Sequence, residues 1–465
     1  MRRTSTWVIA AMLMTGVVGV GIGANEKPAS LPPIEAPTPP VVATKVDPKV
    51  AQLIADLGSD DYRAREKAGR DLATLGEKAL PGMKSAMLST ESPEVQRRLA
   101  VLVRKMEIDR LISPKRVTLA VKQKSVKDTL EEISKQTGYK IEYGGNTGVG
   151  EPRHDFEFDN APFWVAIDKV AAASGCVVFA EYDDETIRVY NQDTINPHVA
   201  YAGPFRFLAT NIHSNKSVQL SGINRRGGGA NRHENMSLQF QIQSEPKNPM
   251  LGVTQAEVIS AVDENGNSLL PPKDPNNRQS YYENRGMRGH NTYGNVNLNR
   301  TGGGASATTI KSLKGKIGII LLSGVTPEIA ITDPLKIKSK TFVGRTVEMD
   351  FGTLVEDANA KGTYVLDVTL KKLGANDDNQ QDYNWSNSAW SKLELFDAAG
   401  NKYQTYGPNN INNNGSSVQI TLPFNTNDRR TGKPIKLGPP VKLVVNEWLS
   451  VTHEVTFEFK DLPLP

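Results

Sequence analysis

Residues Val117 to Tyr190 spell one small unit twice, and this duplication constrains the fold more than any other feature of the chain. Val117-Thr118-Leu119-Ala120-Val121 alternates as a strand does, and Val126, Leu130 and Ile133 follow at helical spacing. Gly138 ends the helix, and Tyr139-Lys140-Ile141-Glu142-Tyr143 reads as a second strand. The pattern then returns at a constant offset of 37 positions. Phe156 and Phe158 stand for Leu119 and Val121, Phe163, Ile167 and Val170 for the helical triplet, and Gly175 for Gly138. The second copy adds a hairpin strand, Thr186 to Tyr190, across a turn at Asp183-Asp184. Ser125 is placed to cap the first helix and Asn160 the second. Each copy buries too little by itself, so residues 114–192 are expected to fold as one unit.

This β-α-β, β-α-β-β order resembles the short N-terminal (STN) domain of secretins and TonB-dependent receptors. The resemblance implies contacts with envelope proteins or neighbouring copies. It rests on pattern and brings no catalytic or ligand motif with it. No plug, barrel or channel segment follows, so receptor and channel activities do not transfer.

The N-terminus carries Arg2 and Arg3, an apolar run from Trp7 to Val20 and small residues ending at Gly23-Ala24. That is the layout of a secretory signal peptide over 1–24, cleaved before Asn25. The run is shorter than the ~20 apolar residues a membrane span needs. No membrane span is therefore expected after cleavage, and the protein is expected to be exported, periplasmic or extracellular. No cysteine follows the apolar run, which excludes a lipoprotein anchor. The sole cysteine, Cys176, cannot form a disulfide within the chain and is expected to be a small buried hydrophobe.

Residues 25–46 are rich in proline and poor in large apolar side chains, as a semi-rigid linker would be. Residues 47–113 carry four amphipathic segments: Val50/Leu53/Ile54/Leu57, Ala64/Ala68/Leu72/Leu75, Leu80/Met83/Met87 and Val95/Leu99/Leu102/Val103/Met106. Asp60 is placed to cap the second, and Ser92-Pro93 to open the fourth. Two such helix pairs resemble HEAT-like repeats.

From Gly203 the text changes to short alternating strands, among them Leu238/Phe240/Ile242, Leu366/Val368/Leu370 and Val455/Phe457/Phe459. This part also looks duplicated. Ala261-Val262-Asp263-Glu264-Asn265-Gly266-Asn267 parallels Leu395-Phe396-Asp397-Ala398-Ala399-Gly400-Asn401, and Ile329/Ile331/Asp333 parallels Phe457/Phe459/Asp461. Two immunoglobulin-like β-sandwiches are expected, at 200–338 and 339–465. The fold class is thus multidomain α+β: N-terminal helical hairpins, an STN-like duplicated β-α-β domain, then two sandwiches. The first sandwich carries a Gly/Asn-rich insertion at 272–306, which reads as structureless and dispensable.

The net charge of +4 over 465 residues sets up no global field toward nucleic acid or membrane, so no specific nucleic-acid partner is expected. The six histidines are scattered, and no metal spacing, nucleophile elbow or phosphate loop occurs. Catalytic, cofactor and metal residues are accordingly none, and no enzyme is expected. The preferred reading is an exported adapter or structural module with envelope protein partners. Its rival is a polyanion or glycan binder acting through Arg225, Arg226, Arg285 and Arg288, with Tyr281 and Tyr282 and the loop holding Trp385 and Trp390. An envelope-polymer hydrolase comes third.

Overall fold

The computed structural model describes residues 47–145, 152–180, 185–192, 196–219, 231–271, 284–300, 307–374, 383–428 and 432–465. The segments read from sequence as signal peptide, linker and Asp183-Asp184 turn lie outside them. The protein is a mixed α+β structure, about 26% helix and 49% strand, and its several sheets include no barrel among the described residues.

Four helices open it: α1 (Pro48–Asp56), α2 (Tyr62–Leu75), α3 (Leu80–Ser89) and α4 (Pro93–Ile112). Their apolar stripes meet around Leu57, Leu72, Met83 and Leu99, all fully buried. Ser92 caps α4 by accepting from the Val95 N–H, with Pro93 in the first turn. The cap of α2 is Asp61, which accepts from Arg63 N–H at 2.9 Å, one residue beyond the expected Asp60.

The duplicated unit follows as β1 (Arg116–Lys124), α5 (Val126–Thr137), β2 (Ile141–Gly144), β3 (His154–Pro162), α6 (Phe163–Ala173), β4 (Cys176–Ala180) and β5 (Ile187–Asn191). β1 and β3 form an antiparallel ribbon, while β5 pairs with β4 antiparallel and with β2 parallel. The helices supply Leu130, Ile133, Phe163, Ile167 and Val170 to a core shared by both copies. Ser125 caps α5 as its position implies, and Gly138 closes that helix in the left-handed region at φ 75°. Asn160 does not cap α6, which begins after Pro162 without a side-chain cap. Asn160 lies within β3 at φ 50°, its N–H donating to Thr118 Oγ1, and so kinks the ribbon.

The β region comprises β6 (Val199–Ala202), β7 (Phe205–Gln219), β8 (Asn231–Ser244), β9 (Met250–Val253), β10 (Glu257–Asp263), β11 (Asn284–Gly289), β12 (Asn291–Leu298) and β13 (Thr309–Thr332). It continues with β14 (Lys340–Val343), β15 (Val347–Glu356), β16 (Tyr364–Lys372), α7 (Tyr383–Ser388), β17 (Leu393–Asp397), β18 (Asn410–Asn413), β19 (Ser417–Phe424) and β20 (Pro440–Pro463). Two outer sheets, β12-β8-β7-β6 and β14-β15-β16-β19-β18, each cover one end of a third sheet, β11-β9-β13-β20-β17, with β10 on β13. Two apolar cores lie in between.

The cores do not part at residue 338. β13 and β20 run antiparallel along their full length, from the Thr309/Pro463 pair to the Thr332/Lys442 pair. The end of β20 sends Val455, Phe457, Phe459 and Leu462 into the first core; the end of β13 sends Ile329 and Ile331 into the second. Each half thus completes its central sheet with the other's strand. Alternation along one strand says which face is buried, but not which partner covers it.

The insertion at 272–306 is likewise not structureless. Its described part forms β11 and β12, and β12 pairs with β8 from Asn291 opposite Gln243 to Leu298 opposite Met236. Val296 and Leu298 enter the first core, and Arg300 is buried with its Nη2 donating to the Pro465 carbonyl at 3.0 Å. Gly294 is required there, because a Cβ on it would lie 2.6 Å from the Phe240 ring.

The loop from Glu245 to Pro249 ties the modules together. Glu245, fully buried, accepts from Lys115 N–H at 3.1 and 3.0 Å and from the Tyr139 hydroxyl at 2.7 Å. Lys247 Nζ donates to the carbonyls of Arg110 and Ser113, and Asn248 Nδ2 to that of Leu111. Burial pushes the Glu245 carboxyl up, with the Lys115 N–H and the Tyr139 hydroxyl opposing it, and burial likewise pushes the Tyr139 phenol up.

Candidate functional site

Two hollows between modules compete for attention. The larger, about 760 Å³, lies between α6, β4 and the β6-β7-β8 face. Its buried charges, Arg206 and Asp168, are already matched. Arg206 donates to the Val178 carbonyl at 3.0 Å and to Gln243 Oε1 at 2.8 Å, and pairs with Asp168 at 2.8 Å. Asp168 also accepts from the Tyr201 hydroxyl at 2.7 Å. Trp164, with Arg206 over its ring, donates Nε1–H to the Pro204 carbonyl. Desolvation pushes Asp168 up and Arg206 pulls it back. These contacts clamp the α/β module to the β region. Cys176, at the edge of this hollow, is buried with its thiol 3.0 Å from Asn191 Oδ1.

The second hollow, about 350 Å³, gathers side chains from three modules. It forms where β13 and β20 cross between the two cores, with Val325 opposite Trp448. A register shift between Leu322 and Gly324 marks the crossing. From the second half, the tight turn Ala389–Lys392 after α7 brings in Trp390, β17 brings Glu394, and the connection between β17 and β18 brings Lys402 and Tyr406. The turn is braced by the Ser388 hydroxyl on the Trp385 carbonyl and the Ser391 hydroxyl on the Ser388 carbonyl. Arg288, at the end of β11, comes from the first half, and Glu185, just before β5, from the α/β module. Lys402 pairs with Glu394 at 2.5 Å, Arg288 lies 3.9 Å from Glu185, and Lys392 Nζ sits 5.6 Å from the centre of the Trp448 ring. The Tyr406 hydroxyl donates to the Asn427 carbonyl. The Thr405 hydroxyl oxygen on the wall is buried without a hydrogen-bond partner among the described residues.

Of the residues singled out from sequence, Arg288 and Trp390 meet in this hollow. Trp385 instead packs half-buried against the second core. Arg285 lies on β11 opposite Gly252 of β9. Arg225, Arg226, Tyr281 and Tyr282 lie outside the described residues. Sequence reading missed Trp448, Tyr406, Lys402 and Glu185. Glu185 reads from sequence as part of a solvated hairpin tip, and nothing in the local pattern sets Trp448, Tyr406 or Lys402 apart.

Chemically the hollow offers aromatic side chains, two ion pairs and hydroxyl groups, a lining suited to holding a polar ligand with some apolar surface. No group of three or more His, Cys, Asp or Glu side chains poised for a metal occurs among the described residues. No helix among them is long and apolar enough to cross a membrane. No family model, curated protein or solved structure matches the chain.

Proposed function

We propose that the protein is an exported, non-enzymatic envelope protein that binds a carbohydrate chain in the hollow between Trp390, Trp448, Tyr406 and Arg288. In this reading the HEAT-like helices, the STN-like unit and two immunoglobulin-like sandwiches form the frame, and the protein holds an envelope polymer in place. One observation carries it: Arg288 and Trp390, both picked from sequence for this chemistry, converge on one hollow with two further aromatic residues. A sugar ring presents an apolar C–H face and a rim of hydroxyls. Aromatic walls match the first, and the Glu394–Lys402 and Glu185–Arg288 pairs offer acceptors and donors to the second.

The test is tryptophan fluorescence and calorimetry of the full chain against soluble neutral and acidic oligosaccharides. Wild type is expected to bind, and Trp390→Ala to weaken binding about tenfold or more, the loss of roughly one stacked ring. Wild-type protein that binds no member of the panel would overturn the reading.

The adapter reading rests on a separate observation. A hollow of about 520 Å³ between α2 and α4 carries Val101, 64% exposed, beside Arg70, Arg97 and Lys105. Crosslinking in the native envelope, with Val101→Glu as control, tests for a protein partner on that face.

A further inference from the structure

The Trp390 hollow does not end at Arg288. A neighbouring one of about 610 Å³ is lined by Lys140, Thr186, Lys247 and Gly324, and the two share Arg288 and Glu185. We propose that together they form one trough for a linear acidic polysaccharide, whose carboxylate displaces Glu185 from Arg288. This rests on the carbohydrate reading above and adds the charge, length and direction of the ligand.

The charge count supports it. The trough walls carry Lys140, Lys247, Arg288 and Lys402 against Glu185 and Glu394. Lys402 already neutralises Glu394 at 2.5 Å, and Lys140 pairs with Glu142 at 2.9 Å. Lys247 is different: its ammonium is held by the Arg110 and Ser113 carbonyls, both uncharged acceptors. Burial lowers its pKa and the nearby Glu245 and Glu77 carboxylates act the other way, so an anion added in the trough would further favour its charged form. Arg288 is matched only loosely. Its partner Glu185 is 3.9 Å away, and the two side chains are 44% and 69% exposed. An exposed, stretched pair of that kind contributes little and exchanges readily. A guanidinium already facing a carboxylate accepts a ligand carboxylate with no change in geometry, and can engage it through two parallel N–H groups.

The order of chemistry along the trough matches a polymer of acidic sugars. Trp390, Trp448 and Tyr406 provide ring faces at one end, Arg288 stands midway, and Lys140 and Lys247 provide cations at the other. Each hollow falls within the ~300–1,000 Å³ typical of a ligand site, and joined they suit a chain of several residues better than one sugar. The trough is walled by three modules that are clamped together, so it is formed before the ligand arrives. Preorganisation of this kind spares the ordering cost of binding.

The experiment uses the full chain, with a uronic-acid hexasaccharide, a neutral hexasaccharide of the same linkage length, a sulfated hexasaccharide and a single-stranded oligonucleotide as probes. At low salt the uronate is expected to bind about tenfold tighter than the neutral chain, with the gap closing as salt rises. Arg288→Ala should remove about tenfold of uronate affinity and no more than about twofold of neutral affinity, where it loses only a hydroxyl contact, while Glu185→Gln should raise uronate affinity about threefold. An unchanged thermal midpoint in both variants shows that folding is intact. Equal affinity for neutral and uronate chains would overturn the acidic-ligand proposal and leave the carbohydrate reading standing. Binding of no oligosaccharide overturns both. Tighter binding of the sulfated chain or of the oligonucleotide than of the uronate overturns the assigned ligand class.

Discussion

The two β halves are built on one plan and used differently. Asp263 and Asp397 each turn a strand into the next by the same set of bonds. Asp263 Oδ1 accepts from Asn265 and Asn267 N–H, and Asp397 Oδ1 from Ala399 and Asn401 N–H. In both, the second carboxylate oxygen takes the Asn side-chain amide, at 2.9 and 3.1 Å. Further along, Asp333 and Asp461 share φ 50° at the ends of β13 and β20. The differences lie in what is added. The first half acquires β11 and β12 and the Glu245 loop that holds the α/β module. The second acquires α7 and the Trp390 turn. The comparison teaches that the duplicated frame fixes where strands turn and cross, while the additions meet at the crossing and make a hollow shared by all three modules.

The sharpest way to break the comparison is to cut the exchanged strand. Removing residues 451–465 deletes Phe457 and Phe459 from the first core, although they sit in the second half of the chain. The first half is then expected to lose cooperative unfolding, read by amide exchange. Phe457→Ala, which opens a space against Phe207, Phe240 and Phe459, should cost about 3–5 kcal/mol in denaturant titration. A truncated protein that kept protected amides in β7 and β8 would show that the halves are independent after all.

Next in size is the loop with no counterpart in the second half. Glu245→Ala leaves the Lys115 N–H and the Tyr139 hydroxyl without their acceptor and should cost about 1–3 kcal/mol. The pH dependence has a definite sign. The folded-state pKa of Glu245 is raised, so ionisation costs stability above that value, and the cost fades as pH falls toward the ordinary carboxylate range. Wild type should therefore gain on Glu245→Gln as pH drops from neutrality into that range, measured as urea midpoints. A gap that widened in the alkaline direction in favour of wild type would contradict the burial argument.

A smaller effect is expected at the two turns. Around Asp263 desolvation acts upward, but the Asn267 amides and the N–H groups of Asn265 and Gly266 outweigh it and hold the pKa low. For Asp397 the Asn401 side chain leads, with the N–H of Gly438 behind it. Depressed carboxylates contribute stability above their unfolded pKa and lose it as pH falls through the folded one. Asp263→Ala and Asp397→Ala should thus both lower the thermal midpoint at neutral pH, Asp397→Ala somewhat more because Gly438 N–H also loses its acceptor, and both should lose that difference in acid. A larger loss at Asp263 would contradict this accounting of the two turns. The smallest effect is expected at Cys176→Ser, below about 1 kcal/mol, because Asn191 Oδ1 stands ready to accept from the new hydroxyl. Rapid thiol labelling of the native protein would contradict the burial of Cys176.

What could be read in the sequence was what local spacing determines. Helical triplets, alternating strands, the Ser125 and Ser92 caps and the paired Asp turns depend on neighbours within a few positions, and the structure has them in place. The exchange of β13 and β20 depends on pairing between Thr309 and Pro463, which no local pattern encodes. The 272–306 segment misled through composition. Its Gly and Asn content signals a loop, yet Gly294 makes room for Phe240, and Val296 and Leu298 suffice to seat an edge strand. Half of the trough was legible for the same reason: Arg288 and Trp390 stood out in polar surroundings, whereas Trp448, Tyr406 and Glu185 acquire meaning only where separate modules meet.

The long β13/β20 pair also sets an order of assembly. A chain emerging from its N-terminus presents β7, β8, β10 and the start of β13 well before Val455 to Leu462 arrive to cover them. More than a hundred residues separate the two, and at ~5–20 residues per second of synthesis that interval is on the order of 10 s. Throughout it Phe207, Phe240 and Leu313 lack part of their cover, and the second half must be made before the first can close. Both halves of such a chain therefore lock together in one late step.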